Sequence, residues 1–355
     1  MGRNRTLAML GTAAVVMGLS GQAYAECAPE TWQDCEGKPW VIGKAETPVG
    51  ERWWPHPLWG EGDEAGSTNW YTRPEVVLRA LAEVDTGKVY KLGREYDSTI
   101  PTFGGRIFEL KSPSAGSGGP AGANAVVYKD EIVTAEIGQV GTQFDGLGHI
   151  GVSTNGVTDA SDVRYYNGFA EADIFTETGL KNLGVDKLHP IVARGVLLDI
   201  AAAKGVEMLE AGYVVTLADV EGALKKQGME GFAFQPGDGV FFHTGWGKLW
   251  KTDNEKFKSG EPGLGMEIAK WLSDEVQAGV VGADTWGTEA VPGEDPACVF
   301  CAVHTHLLTR NGIVNQEVMY LDELIRDGVY TFAYIYSPMP IVGGTGSPGA
   351  PIAID

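Results

Sequence analysis

The residues with most chemical potential lie in one short stretch, between Gln139 and His149. It holds a carboxylate (Asp145), an imidazole (His149) and two side-chain amides (Gln139, Gln143). Glycines lie among and beside them, and they let the backbone bend tightly enough for the polar side chains to converge. The preceding run EIVTAEI is typical of a β-strand, and sites collect where strands end. The alternative is a glycine-rich turn with a hydrogen-bonded aspartate and a surface histidine.

This stretch resembles the signature of the cyclase family of metal-dependent hydrolases, which includes bacterial kynurenine formamidases and isatin hydrolases. That signature reads His-x-Gly-Thr-His-x-Asp-x-Pro-x-His. Two glutamines, Gln139 and Gln143, stand where the family has metal-binding histidines, and Leu147 stands where proline is usual. The residues that match in register are Gly141, Thr142, Asp145 and His149.

The resemblance extends over roughly residues 53–340, in the family's usual order of motifs. It implies a swivelling β/β/α fold that forms homo-oligomers. The segments that carry it are Trp59 to Asn69, Arg194 to Asp199, Pro236 to Asp238, Thr244 to Trp246, Gly282 to Trp286 and His304 to Glu317.

The resemblance also implies roles for individual residues. In the family, the motif histidines and aspartate hold one metal ion, and the aspartate with a later histidine and glutamate can hold a second. Carried over, Asp145 is a metal ligand and His149 the general acid/base. His304 and Glu317 are the second-site ligands, and Glu317 also counts as a catalytic residue. Histidine and carboxylate ligands suit zinc or manganese.

The two glutamines leave three alternatives, because a glutamine carbonyl is a neutral, harder donor than imidazole. One metal ion could be held by Asp145, His304 and Glu317, while Gln139 and Gln143 orient water or substrate. A hard metal ion could use the amide oxygens as ligands. The site could also be metal-free, in a binding protein or a retired enzyme.

Other polar and aromatic residues are candidates for the substrate pocket. A hydrogen-bonded or capping role is the alternative for Asp284, and Glu289 is a further candidate for the lining. The sequence around His56 and His189 favours a structural role in packing over contact with substrate. The predicted substrate-binding residues are Trp59, Arg106, His243, Asp284, Trp286 and His306.

The N-terminus predicts export. Residues 1–25 combine early arginines, an apolar run and a small-residue cleavage pattern, which is typical of a secretory signal peptide cleaved near Ala25-Glu26. Residues 26–52 are predicted to form an irregular N-terminal arm, and residues 53–355 a single hydrolase domain. The formal net charge of −20 disfavours nucleic acid and membrane surfaces as partners. A periplasmic or secreted protein with a small-molecule substrate is expected.

Four cysteines fit an oxidising compartment. The favoured pairing is Cys27 with Cys35 and Cys298 with Cys301. Two alternatives stay open for Cys298-x-x-Cys301: a zinc site completed by His304, or a redox pair.

Hydrophobic patterns predict the fold class. Residues 191–200 form a near-continuous apolar run, which indicates a strand buried on both faces. Residues 279–284 indicate another, and Thr216 begins a helix that Gly228 ends. Strands and helices do not alternate strictly. We therefore expect an α/β or mixed α+β domain with a barrel-like mixed sheet.

Together these features predict an exported metal-dependent hydrolase, with manganese or zinc as cofactor. It would open a small cyclic amide or lactone, or cleave a formamide-like bond, by metal-activated water. A homo-oligomer, dimer or tetramer, is expected. The alternative is a periplasmic small-molecule binding protein on the same fold.

Overall fold

The computed structural model describes residues 46–47, 50–112, 117–156, 159–295 and 302–355. The predicted signal peptide, most of the predicted N-terminal arm and all four cysteines lie outside these residues. The expectations about cleavage and cysteine pairing therefore stay predictions. Within the described ranges, no helix is long and apolar enough to span a bilayer.

A nine-stranded mixed sheet, curled into a half-barrel, organises the fold. Its spatial order is β8-β2-β6-β5-β4-β3-β7-β9-β1. In chain order the strands are β1 (Val89–Lys91), β2 (Gln143–Asp145), β3 (Ile191–Asp199), β4 (Gly239–His243), β5 (Val280–Ala283), β6 (Val314–Glu317), β7 (Thr331–Tyr336), β8 (Gly346–Pro348) and β9 (Ile352–Ile354).

The central strands are buried on both faces, as the apolar run of β3 predicted. Because successive side chains of a strand point to opposite faces, Leu197 packs in one core cluster and Leu198 in the other. Phe241 and Phe242 of β4 divide in the same way. The expected mixed α/β architecture with a barrel-like sheet is confirmed.

Helices pack against both faces of the sheet, and their buried side chains join both core clusters. The helix predicted after Thr216 is confirmed: the Thr216 and Asp219 side chains form a reciprocal capping box, which satisfies backbone N–H groups at the helix start. The α-helices are α1 (Pro74–Leu81), α2 (Glu171–Ile174), α3 (Ile200–Lys204), α4 (Leu217–Lys226), α5 (Asn254–Lys258), α6 (Met266–Lys270), α7 (Ala302–His304) and α8 (Asp322–Asp327). Wider π-helical turns, Trp271–Val276 and Thr305–Arg310, follow α6 and α7.

Short two-stranded ribbons and 3₁₀ turns complete the described chain. The paired strands are Glu46–Thr47 with Gly50–Glu51, Phe108–Lys111 with Ile132–Ala135, Gly118–Ala121 with Val126–Tyr128, Val152–Ser153 with Val163–Arg164, Phe175–Thr176 with Gly179–Leu180, and Val214–Val215 with Gly263–Leu264. The 3₁₀ turns are Gly66–Thr72, Tyr166–Gly168, Val185–Lys187 and Trp246–Leu249.

The strand that presents the central motif differs from the expected one. The run EIVTAEI contributes Ile132–Ala135 to an exposed ribbon, whereas the motif itself forms β2 inside the main sheet. The sequence QFD of β2 is too short to show a period of its own. Its burial is decided by pairing with β6 and β8 on either side.

The four parallel strands β3, β4, β5 and β6 bring polar residues to one edge of the sheet. Asp199, His243 and Glu317 are the last residues of their strands, and Asp284 directly follows β5. The carboxyl ends of parallel strands are where open α/β sheets bind ligands.

Candidate metal centre and pocket

Three buried side chains converge at the carboxyl end of β6. Asp145, His304 and Glu317 each offer a ligand atom, and these atoms lie within 4.8 Å of one another. His304 Nε2 lies 3.6 Å from Asp145 Oδ2 and 3.1 Å from Glu317 Oε1. One imidazole and two carboxylates, converging in this way, form a donor set suited to a divalent cation.

Strand pairing explains why these groups meet. Strand β2 runs antiparallel to β6, so that Gln143 lies opposite Glu317 and Asp145 lies opposite Asn315. Directly opposite residues on one face have closely spaced side chains. These two cross-strand pairs bring the carboxylates of Asp145 and Glu317 close together.

Side-chain amides donate hydrogen bonds to both carboxylates: the two glutamines to the oxygens that face away from His304, and Asn315 to the oxygens that face it. Gln139 Nε2 donates to Asp145 Oδ1 at 3.0 Å, and Gln143 Nε2 donates to Glu317 Oε2 at 2.5 Å. Asn315 Nδ2 donates to Glu317 Oε1 at 2.8 Å and to Asp145 Oδ2 at 3.3 Å. In this arrangement the two glutamines hold the carboxylates in place as hydrogen-bond donors.

His304 is oriented by a second carboxylate. It ends α7, and its Nδ1 lies 2.7 Å from Glu289 Oε1, while Glu289 Oε2 accepts a hydrogen bond from the Val303 backbone N–H. This leaves Nε2 directed at Asp145 and Glu317. A carboxylate behind a ligating histidine fixes its tautomer and ring orientation.

The electrostatics fit a cation between the carboxylates. Burial, and then repulsion by Asp145, raise the pKa of Glu317 to about 7. Burial also acts to raise the pKa of Asp145, but attraction to His149 and His304 outweighs it and the pKa is lowered. A divalent cation at this point would remove the repulsion that both carboxylates experience. The residues present therefore fit one divalent cation.

His149 stands beside this cluster. Its Nε2 lies 3.9 Å from Asp145 Oδ1, and it lines the pocket. Burial lowers its pKa, and the attraction of Asp145 does not fully offset that effect. A neutral imidazole next to a metal-type cluster can accept and return a proton.

The cluster lies in a cavity of about 300 Å³ whose wall includes four aromatic side chains. Two of the predicted substrate-binding residues, Arg106 and Trp286, line it. Trp286 packs against Phe103 with ring centroids 4.5 Å apart. The other lining residues include Pro101, Val140, Ile150, Trp250, Phe257, Gln139, Gln143, His149 and Val318.

Comparison with known proteins assigns this architecture. Residues 69–290 match the model of the Cyclase family. A crystal structure of a protein described as a novel cyclase is 30% identical, with a TM-score of 0.69. The match covers 84% of this chain and 96% of that one. The chain belongs to the cyclase family. The resemblance seen in the sequence is thereby confirmed.

More distant structures share the fold of this cyclase. Isatin hydrolase A from Labrenzia aggregata, bound to benzyl benzoate, is 21% identical with a TM-score of 0.54; the match covers 75% of this chain and 93% of that one. Isatin hydrolase A from Ralstonia solanacearum is 22% identical with a TM-score of 0.52, covering 79% and 98%. No curated protein sequence matches the chain.

Two predicted substrate-binding residues, Trp59 and His306, lie outside the cavity. Trp59 stacks on His56 and meets Trp70 edge-on, packed against the main core. His306 Nε2 lies 2.9 Å from the Ser273 hydroxyl, and burial lowers its pKa to about 4. Neither residue lines the cavity. His306 follows His304 by two residues in a helical segment, so its side chain points to a different side.

His243 and Asp284 belong to a separate polar cluster. His243 Nδ1 lies 2.9 Å from Asp199 Oδ1, and its Nε2 lies 4.0 Å from Asp284 Oδ2. Asp284 accepts hydrogen bonds from the backbone and hydroxyl of Thr244, as its hydrogen-bonded alternative predicted. Neither residue lines the cavity. His243 ends β4 and faces Asp199.

Sequence reasoning missed the residues that support the ligands of this cyclase. Asn315 is two residues before Glu317 on β6, and the period of a strand could have placed both on one face. The Thr288 hydroxyl donates to the side-chain oxygen Oδ1 of Asn315 at 2.9 Å and so orients the Asn315 amide. Glu261, fully buried, accepts backbone hydrogen bonds from Trp286 and Gly287. No local pattern around Glu261 signals that contact.

Proposed function

We propose that this cyclase is a metal-dependent hydrolase of small amides or esters, including cyclic amides and lactones and formamide-like compounds. The observation that carries the proposal is the convergence of Asp145, His304 and Glu317 beside His149 at one side of an aromatic cavity. The donor set suits manganese or zinc, and its two carboxylates favour manganese as the harder ion.

The residues divide the work of hydrolysis. When bound, a divalent cation supplies an acidified water molecule and polarises a carbonyl. Asp145, Glu317 and His304 would hold that cation, while Gln139 and Gln143 keep the two carboxylates oriented. His149 takes the proton from the attacking water and returns it to the leaving nitrogen or oxygen. Phe103, Trp286 and Trp250 exclude bulk water from the reacting groups.

The cavity supports a small, flat substrate. A volume of about 300 Å³ is at the lower end of ligand sites, and aromatic walls favour planar rings. The distant isatin hydrolases act, by their names, on a compound of that kind. We therefore propose aryl-fused lactams, imides and lactones as the first compounds to screen.

Metal content and turnover, measured together, test the proposal. Protein purified without chelator should contain about one equivalent of manganese or zinc by mass spectrometry, and Asp145→Ala should lose both the metal and hydrolysis. Glu275→Ala, which removes an exposed carboxylate away from the cavity, is the matched control and should retain both.

Two outcomes would overturn this assignment. Full hydrolytic activity in Asp145→Ala would remove the ligand role. Absence of metal from the wild-type protein, together with tight retention of a small molecule and no turnover, would favour the binding-protein alternative.

We also propose export and self-association. Export rests on the N-terminal composition, and N-terminal sequencing of the periplasmic protein should begin near Glu26. Self-association is supported by exposed apolar side chains on the ribbons between residues 107 and 133, because two-stranded ribbons are marginally stable when uncovered. A second copy of the chain would cover them; light scattering should give at least a dimer, and Val127→Glu should weaken it. The exposed residues are Ile107, Leu110, Val126, Val127, Tyr128, Ile132 and Val133.

A further inference from the structure

A tight turn carries a positive charge into the cavity wall. Gly104 and Gly105 both have positive φ values, of 60° and 84°, and the backbone N–H of Arg106 donates to Phe103 O at 2.9 Å. Glycine tolerates this backbone conformation, which side chains rarely adopt. The turn places Phe103 and Arg106 together on the cavity lining.

Arg106 is the sole lysine or arginine on the described lining of this cavity. The other ionisable groups on the lining are the carboxylates of Asp145 and Glu317 and the imidazoles of His149 and His304. Arg106 is half-buried, so an anionic ligand that entered the cavity would pair with a guanidinium that is already partly removed from water.

No carboxylate of the described residues forms a close ion pair with Arg106. Its guanidinium Nη1 donates a hydrogen bond to the Gln139 backbone carbonyl at 3.3 Å. Glu136 attracts Arg106 from a greater distance, and its Oε2 accepts a hydrogen bond from the Ile107 backbone N–H. A guanidinium has five N–H donors, so most of those of Arg106 remain available.

Arg106 also marks the mouth of the cavity. It lines an outer depression as well as the cavity, together with Thr102, Asp97 and Glu109. These two carboxylates have cationic partners of their own, Lys251 and Lys111. The metal-type cluster and the guanidinium are thus separate features of the same cavity, with the aromatic pair Phe103 and Trp286 on its wall. A ligand filling the cavity would present one group to each.

We propose that the substrate is a planar aromatic molecule bearing a carboxylate, and that Arg106 binds this carboxylate at the cavity mouth. The ring lies along the aromatic wall, and the carboxylate accepts hydrogen bonds from the guanidinium fork, a geometry that arginine matches well. This inference rests on the proposed function, which specifies the bond that is hydrolysed. Binding of the carboxylate by Arg106 can be measured without turnover.

A matched pair of probes tests the inference by binding alone. Dissociation constants of 2-naphthoate and its neutral analogue 2-naphthamide are measured by calorimetry for the protein as purified. The same titrations are made for Arg106→Gln, Arg106→Lys and the control Arg326→Gln, which removes an exposed arginine of α8 with the same change in net charge.

We expect 2-naphthoate to bind at least about tenfold more tightly than 2-naphthamide, as charge-assisted hydrogen bonds imply. Arg106→Gln should abolish that preference and leave 2-naphthamide binding unchanged, which also shows that the variant is folded. Arg106→Lys should retain part of the preference, and Arg326→Gln all of it.

Two results would overturn the inference: equal binding of the two probes to the wild-type protein, or a preference for 2-naphthoate that survives in Arg106→Gln. The second would place the carboxylate elsewhere, at a bound metal ion for example. Hydrolysis of neutral aryl lactams with no preference for anions would leave the proposed function standing without this inference. Arg106-dependent binding of 2-naphthoate without any hydrolytic activity would leave this inference standing and overturn the proposed function.

Discussion

The side-chain amide of Gln143 donates a 2.5 Å hydrogen bond to the carboxylate of Glu317, its direct neighbour across strands β2 and β6. Gln143 stands where the family signature has a metal-binding histidine. The amide thus orients a carboxylate of the proposed cation site. Gln139 makes the equivalent contact to Asp145 at 3.0 Å. The two substitutions leave a cluster suited to one cation where the family can hold two.

Replacing both glutamines by histidine should restore a second metal site. The imidazoles of Gln139→His/Gln143→His would add two nitrogen ligands next to Asp145, and histidine binds zinc and manganese more strongly than an amide does. Metal content after dialysis against zinc or manganese should rise from about one to about two equivalents per chain. Gln235→His, remote from the cavity, should leave it unchanged. Unaltered metal content in the double variant would show that histidines at positions 139 and 143 do not bind a metal ion.

Removing the carboxylate behind His304 should weaken metal binding without removing a ligand. Glu289 Oε1 lies 2.7 Å from His304 Nδ1, and loss of such a partner typically costs about 10- to 100-fold in metal affinity. We expect this loss in Glu289→Ala and a smaller one in Glu289→Gln, measured by competition with a chromogenic chelator. Glu221→Ala, on the exposed side of α4, is the control. Equal affinities in all three variants would exclude the orienting role.

The cluster around His243 should make stability depend on pH. Burial acts to lower the pKa of His243, but hydrogen bonding to Asp199 and attraction to Asp284 and Asp322 outweigh it and raise the pKa above 6.5. A raised pKa stabilises the folded state below pH 6.5, and this contribution is lost as pH rises through the folded value.

The difference in melting temperature between wild type and His243→Gln should therefore be largest below pH 6.5 and decrease toward higher pH. The pKa of Asp199 is lowered, so its own contribution is complete above its ordinary value of 3.8 and does not vary over this range. Thermal unfolding between about pH 5 and about pH 9 measures the difference. A constant difference would show that the pKa of His243 is the same in the folded and unfolded states.

The ion pair between Arg194 and Asp238 should be important for stability. Asp238 is fully buried, and its Oδ2 accepts from Arg194 Nη2 at 2.5 Å; Arg79 also lies 3.3 Å from Oδ1. Removing one partner of a buried pair leaves an uncompensated charge, which typically costs about 3–5 kcal/mol. Asp238→Ala should lower the free energy of unfolding by that amount in urea titrations. Asp327→Ala, which breaks an exposed pair, should have little effect, and similar losses in both would contradict the prediction.

Much of the fold could be predicted from local patterns. The apolar run of β3, the strand after Gly279 and the capping signals at Thr216 all appear as expected, because burial on both faces and helix capping leave a mark in neighbouring residues. No such pattern in the sequence indicates strand β2. Three residues cannot show a period, and their burial comes from strands contributed by the C-terminal part of the chain.

The spacing of strands explains why His243 lies apart from the metal-type cluster. Both His243 and Glu317 end parallel strands at the same edge, and His243 was predicted to bind substrate. Strand β5 lies between β4 and β6. Neighbouring strands are about 4.8 Å apart, so the two backbones are separated by about 10 Å. His243 is thereby left to pair with Asp199 on the adjacent strand.

The sequence by itself determined the residue types and the family: an aspartate, histidines, a glutamate and two unexpected glutamines in a recognisable order. The tertiary structure decided which of them meet. Asp145 and Asn315 are 170 residues apart, and Glu289 and His304 are 15 residues apart. Such contacts depend on strand register, and register is set by the packing of the whole sheet rather than by any local segment.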